Sequence, residues 1–151
     1  MADRISNLES HLGYWLRFVS NHVSHAFRLK VESHGVTVAE WVVLRVLFDS
    51  DAVHPSRIAD RIGMTRGAVS KLVERLSEKG LAVCSADKAD RRYQTVAPTA
   101  SGRNLVPTLA ALADQNDREF FGHLSRRERE DLFAVLKRIV QSRGLSAAPV
   151  D

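Results

Sequence analysis

Apolar residues recur along most of this chain at helical spacing. Ile5, Leu8, Leu12, Trp15, Val19, Val23 and Phe27 form one stripe, the signature of a helix with one buried face. Ser6-Asn7-Leu8-Glu9 has the form of a capping box, in which hydroxyl and carboxylate each satisfy an orphan backbone donor. A first helix is therefore predicted from there to about Ser33, ended by His34-Gly35. Thr37-Val38-Ala39-Glu40 repeats the box and opens a second helix to about Asp49. That helix is apolar nearly all round, which places it at the centre of a core. Pro55 suits the first position of a short third helix ending at Gly63. Thr65 caps a fourth, whose Val69, Leu72, Val73 and Leu76 fall at i, i+3, i+4 and i+7, and Gly80 closes it. The period then shortens. Leu81 to Ser85 and Tyr93 to Ala97 read as strands on either side of a charged tip, Asp87 to Arg92, a hairpin too small to stand without helices to pack on. Thr99 opens a fifth helix to about Gly122, with a bend predicted at Pro107, which lacks a backbone donor. Ser125-Arg126-Arg127-Glu128, a third capping box, opens a sixth to about Arg143, and Ser146 to Asp151 are expected to fray.

These elements make a mainly α (α+β) chain, a winged helix-turn-helix with flanking N- and C-terminal dimerisation helices, in the order four helices, two strands, two helices. Residues 37-103 are assigned to the winged helix-turn-helix unit, and 1-36 with 104-145 to a flanking helical region. The first, fifth and sixth helices carry longer apolar stripes than a small winged unit can cover. Either they pack on that unit in a monomer, or they leave a surface for a second copy; the second is preferred, so a homodimer is expected.

Charge sharpens the picture. The chain carries +4 overall, with a pI near 9.6. Between Pro55 and Arg103 stand ten Lys/Arg and five Asp/Glu, a net +5, so the remainder carries −1. A local basic excess is the footprint of a polyanion partner. No apolar run approaches the ~20 residues that span a bilayer. Met1-Ala2-Asp3-Arg4 is followed by no apolar signal-peptide centre, so no membrane partner and a cytoplasmic location are expected.

Pro55 to Gly80 has helix-turn-helix spacing. Opposite the apolar stripe of its second helix lie Gly67, Ser70, Lys71 and Glu74, with Arg66 and Arg75 at the margins. Such a helix can enter a major groove of double-stranded DNA, where Lys or Arg read guanine edges and Ser or Thr meet bases or phosphates. The other boxed helices place a Glu in the first turn, whereas this one places Arg66 there and has no acid before Glu74. A cation at that end is unfavourable by roughly 0.3–1 kcal/mol, which makes sense if the free N–H groups and the arginine await a phosphate. The hairpin tip Asp87-Lys88-Ala89-Asp90-Arg91-Arg92 then reads as a wing reaching a minor groove or its phosphates.

Taken together, Pro55-Ser56-Arg57-Ile58-Ala59-Asp60-Arg61-Ile62-Gly63-Met64-Thr65, Val69-Ser70-Lys71-Leu72-Val73-Glu74-Arg75-Leu76, Glu78-Lys79-Gly80-Leu81, Asp90-Arg91-Arg92 and Thr99-x-x-Gly102 resemble the MarR family of bacterial regulators. The match is dense from His54 to Gly102. It implies an obligate homodimer held by its terminal helices, binding pseudo-palindromic operators and released by small aromatic or phenolic effectors or by oxidation. It also implies that Arg92 pairs with Asp90 to set the wing. Two positions depart from the family pattern: Ala89 replaces a basic wing residue, shifting the minor-groove contact to Lys88 or Arg91, and Pro98 replaces a Leu before the fifth helix.

The expected DNA contacts are therefore Arg57, Thr65, Arg66, Gly67, Ser70, Lys71, Arg75, Lys88, Arg91 and Arg92, with Asp90 supporting the wing. By analogy, an effector pocket falls between the first, second and fifth helices, where His11, Trp15, Phe18, Trp41 and Arg45 stand. Those aromatics also read as core, the preferred role for each. Cys84, alone in a strand and without an adjacent cation, reads as structural rather than redox-active. His22 and His25 have a metal-ligand spacing but no third ligand nearby in sequence. No metal, cofactor or catalytic constellation is expected. The function expected is a homodimeric transcriptional regulator, a repressor that occupies its operator. The rival is a winged-helix module that binds protein rather than specific DNA.

Overall fold

Six α-helices and a two-stranded antiparallel hairpin, in the expected order, make up the computed structural model, which describes residues 5–146. The expected fraying of the tail beyond Ser146 lies outside the described residues. The first helix departs from expectation. Leu8–Ser10 is a 3₁₀ turn, His11 is extended, and α1 spans only Leu12–Glu32. The Ser6–Glu9 box does not form around an α-helix because local side chains take the carbonyls a continuous helix would have used. Ser10 Oγ donates to the Asn7 carbonyl at 2.6 Å, and Trp15 Nε1 donates to the Glu9 carbonyl at 2.8 Å.

The second box forms as expected. Helix α2, Val38–Phe48, starts with Glu40 N–H donating to Thr37 Oγ1 at 3.1 Å and Thr37 N–H to Glu40 Oε2 at 3.0 Å. Glu40 is only 1% exposed. Its carboxylate also accepts Lys79 Nζ at 2.7 Å, and Lys79 donates to the Gly35 carbonyl at 2.8 Å. A buried charge needs such partners, and this one ties the start of α2 to the segment after α4. Helix α3 spans Pro55–Ile62 and ends at Gly63 in the left-handed region, φ 70°. Helix α4 spans Arg66–Glu78 behind its Thr65 cap, whose hydroxyl accepts the Ala68 N–H at 3.1 Å.

Strands β1, Ala82–Ala86, and β2, Gln94–Pro98, each begin one residue later than the sequence suggests. Leu81 N–H is already bonded to the Leu76 carbonyl in the glycine cap of α4, and Tyr93 closes the wing turn by donating to the Asp90 carbonyl. Val53 adds a short third rung, exchanging backbone hydrogen bonds of 2.9 and 2.8 Å with Val96. Helix α5, Ala100–Phe121, runs uninterrupted through Pro107. Its start is fixed twice by Thr99, whose Oγ1 accepts the Gly102 N–H at 3.1 Å and donates to the Gly80 carbonyl at 2.6 Å. Gly102 has no alternative: a Cβ there would stand 2.1 Å from the Leu81 carbonyl oxygen. Helix α6, Arg126–Arg143, begins with the Ser125–Glu128 capping box.

The core runs from the end of α1 to the middle of α5, around Leu44 and Leu47 of α2, Ile58 of α3, Leu76 of α4, Val96 of β2 and Leu109 of α5, all fully buried. Helix α1 is held to α5 through half-buried polar contacts. Asn116, 3% exposed, donates to the Val23 carbonyl at 3.1 Å and accepts Lys30 Nζ at 2.9 Å, which also reaches Glu119 at 2.8 Å. Trp15 and Phe18, preferred as core residues, are 49% and 50% exposed: among the described residues the N-terminal half of α1 meets the 3₁₀ turn, where Trp15 bonds the Glu9 carbonyl, but it is not sealed into the core. Helix α6 buries no residue at all. Cys84 is likewise exposed on β1 and fills no core position. Among the described residues, no helix is long and apolar enough to cross a membrane.

Candidate nucleic-acid interface

The apolar positions of α4, Val69, Leu72, Val73 and Leu76, are all buried against the core. That packing turns Arg66, Gly67, Ser70, Lys71, Glu74 and Arg75 outward, and all six are exposed, as are Arg57 on α3 and the capping Thr65. Gly67 is mid-turn in a helix with ordinary backbone angles, and a Cβ there would meet nothing within 4 Å. Nothing inside the chain requires a glycine at that position.

The wing is a closed turn. Asp87 N–H donates to the Tyr93 carbonyl at 2.8 Å, and Asp87 Oδ1 accepts the Ala89 N–H at 2.7 Å. Asp90 accepts Arg92 three times, from its backbone N–H and Nε at 3.1 Å and from Nη2 at 2.9 Å. The side-chain bond from Arg92, with its backbone bond second, holds the Asp90 carboxyl below the usual carboxylate range; in return, Asp90 raises the Arg92 guanidinium. Arg92 is thus held down within the wing, while Lys88 and Arg91 on the same turn stay exposed.

The ten cations of the 55–103 segment divide into two sets. Arg61, Lys79, Arg92 and Arg103 each pair with an acid: Asp49, Glu40, Asp90 and Asp51. Arg57, Arg66, Lys71, Arg75, Lys88 and Arg91 enter no ion pair among the described residues. The second set spreads over α3, α4 and the wing, and all six come from the contacts expected from sequence. The contrast drawn from first-turn acids is narrower than expected. Only α2 and α6 carry one; α1, α3 and α5 lack it as α4 does. Nor does a cation there set α4 apart, since Arg57 stands in the first turn of α3 and Arg126 and Arg127 open α6; Arg66 is marked by its place beside the exposed face of α4.

Other candidates are not brought together. His11 contacts the Leu8 carbonyl, Trp41 is buried, and Arg45 is drawn to Asp49 at 2.7 Å, where its hydrogen bond lowers the Asp49 carboxyl. With Trp15 and Phe18, these five line neither of two cavities. One, of about 500 Å³, lies where α2 meets α3 and is walled by Val46, His54, Arg57 and Arg61 among others. The other, of about 280 Å³, lies between α5 and α6 against Phe121, Leu132, Phe133 and Leu136. His22 packs on Phe18, with ring centroids 5.0 Å apart, and His25 Nδ1 lies 3.3 Å from Arg28.

One feature of the interface has no local sequence signal. His54, at the start of α3, lies 2.9 Å from Asp87 at the root of the wing and stands edge-on to Tyr93, 33 and 39 positions ahead of it. A histidine before a helix and an aspartate in a turn carry no mark of each other until the hairpin folds back.

A family model described as the MarR family matches residues 34–92. The transcriptional regulator SarZ of Staphylococcus haemolyticus is 25% identical over 137 residues, covering 91% of this chain and 92% of SarZ. Among solved structures, BpsR of Bordetella bronchiseptica, whose DNA binding is regulated by 6-hydroxynicotinic acid, superposes with a TM-score of 0.79 at 27% identity, covering 89% of this chain and 96% of that one. MepR of S. aureus, solved as a complex with DNA, gives 0.78 at 25% identity, covering 87% and 98%.

Proposed function

We propose that this chain, similar to MarR-family transcriptional regulators over most of its length, is itself one: a homodimeric repressor that reads a pseudo-palindromic operator in the cytoplasm. The observation that carries it is the set of six exposed cations on α3, α4 and the wing that enter no ion pair among the described residues. Each has the reach and charge to replace a phosphate counterion, while the other four cations of the same segment each face an acid within the chain. Lys71 and Ser70 are the proposed base readers, with Thr65, Arg66 and Gly67 at the phosphate-facing start of α4. Arg57 and Arg75 flank it, Lys88 and Arg91 form the wing contact, and Arg92 with Asp90 sets the wing's shape. Gly67, for which the chain itself has no use, leaves room for close approach of a duplex backbone.

The dimer follows from the apolar faces that one chain leaves open. Leu12, Trp15, Leu16, Phe18 and Val19 of α1 are exposed together with Leu132, Phe133, Leu136, Ile139 and Val140 of α6. Residues 37-103 then form the DNA-binding domain, with 1-36 and 104-145 as the dimerisation region. An effector site at His11, Trp15, Phe18, Trp41 and Arg45 needs the second copy, since one chain does not enclose it. A small aromatic or phenolic acid is the proposed effector, as BpsR responds to one; by favouring one arrangement of the two recognition helices it would release the operator.

The experiment is selection of genomic fragments by the purified full chain, followed by salt titration of the selected duplex. The expected result is a shared pseudo-palindrome with half-sites about 10 base pairs apart, with affinity falling steeply as salt rises. Retention of no fragment, or of all alike, would favour the protein-binding alternative and overturn the proposal.

A further inference from the structure

His54 occupies the N-cap of α3, a position that Ser, Thr, Asp and Asn favour because their side chains bond the helix's free N–H groups. Its side chain makes no such bond. The first N–H groups of α3 go instead to its backbone: Arg57 and Ile58 donate to the His54 carbonyl at 3.0 and 3.3 Å. The imidazole points to the wing. Nε2 stands 2.9 Å from Asp87 Oδ2, and the ring meets Tyr93 edge-on at 6.0 Å.

Asp87 is the residue on which the wing turn hangs. Its N–H closes the turn against Tyr93, and its other carboxylate oxygen holds Ala89 N–H, leaving Oδ2 for His54. The adjacent Val53 is bonded at a different place, to Val96 in the middle of β2. A two-stranded ribbon is marginal alone, and one tether would let it pivot. Two neighbouring residues gripping two separate rungs fix its angle to the helix-turn-helix. Beyond Asp87, Lys88 and Arg91 stay exposed and enter no ion pair among the described residues.

We propose that His54 is a positioning residue for DNA binding: through Asp87 and Tyr93 it aims the wing that carries Lys88 and Arg91, without touching DNA itself. The inference rests on the proposed wing contact, so its test separates the two. Affinity for the selected duplex, and the melting temperature without DNA, are measured for H54A, H54Q, R91A and H54A/R91A. H54A is expected to lose about five-fold or more in affinity in the wild-type background and less than about two-fold when Arg91 is already absent, because coupled residues are non-additive. H54Q, whose amide N–H can still reach Asp87, is expected to recover most of the loss. If R91A alone changes nothing, the wing contact is wrong. If R91A weakens binding but H54A costs as much in the double variant as alone, or follows a lowered melting temperature, His54 is a fold-stabilising residue and the positioning role is overturned.

Discussion

Two capping boxes of the same design open α2 and α6, and their helices meet opposite fates. Thr37–Glu40 starts a helix with six buried residues, and its Glu40 is itself sealed under Lys79. Ser125–Glu128 starts a helix with none. The box fixes where a helix begins; it says nothing about what covers the apolar stripe behind it. Around α2 the chain closes on itself from Val31 to Leu109, whereas among the described residues α6 and the first half of α1 leave Trp15, Phe18, Phe133 and Leu136 largely exposed. The closed region presents α4 and the wing together. In the proposed dimer the open region meets another copy, which sets how far apart two such units stand.

The sharpest way to break this contrast is to place a charge on the open face. Leu136→Asp should leave the winged unit folded but abolish self-association, lowering operator affinity by about 100-fold or more, the order lost when two linked binding events become one. Sedimentation and anisotropy titration of the same sample would check both halves. In the closed region, Leu47→Ala should instead lower stability by about 2–5 kcal/mol at every protein concentration in a denaturant titration. Equal concentration dependence in the two variants would erase the distinction.

The two glycines sharpen it further. Gly102→Ala forces a Cβ onto the Leu81 carbonyl and should cost about 1–3 kcal/mol, as overpacking does. Gly67→Ala meets open space and should gain up to about 1 kcal/mol of stability from helix propensity while weakening DNA binding. Thermal unfolding beside binding titrations would show the opposite signs.

Within the interface, Lys71→Ala should relax specificity at one base pair per half-site by about 1–3 kcal/mol. Arg91→Ala should weaken all sequences evenly and flatten the log–log salt slope by about 0.9 per phosphate, so about twice that for a dimer. Uniform weakening by Lys71→Ala with an unchanged slope for Arg91→Ala would reverse the roles of reader and anchor.

The smallest expected effect is at low pH. The backbone N–H of Ser125, then its hydroxyl, holds the Glu128 carboxyl below the usual carboxylate range. A depressed folded value means the cap's contribution to α6 is fully present above the ordinary carboxyl value of 4.5, where the unfolded carboxyl is ionised, and is lost as pH falls from there through the lower folded value. Amide signals at the start of α6 should therefore report an acid transition that Glu128→Gln removes.

What could be recognised in the sequence was local. Thr65 and Ala68, Thr99 and Gly102 stand three positions apart, so their caps follow from spacing, whereas the pairing of Asp90 with Arg92 came from the family resemblance. Ser6–Glu9 had the same spacing and misled, because Trp15 competes for the Glu9 carbonyl from outside the motif. Trp15 and Phe18 looked like core because periodicity identifies an apolar face but not its cover. The ties that position the interface, His54 to Asp87 and Glu40 to Lys79, join residues 33 and 39 apart and appear only when the hairpin and the helix-turn-helix close.

The central claim, that the open helices pair two reading units on one operator, is tested most directly by sedimentation of the full chain alone and with the selected duplex. A mass of twice 16.8 kDa alone, and two chains on each duplex, are the expected results. A well-folded 16.8 kDa species at micromolar concentration, binding its duplex one to one, would contradict it.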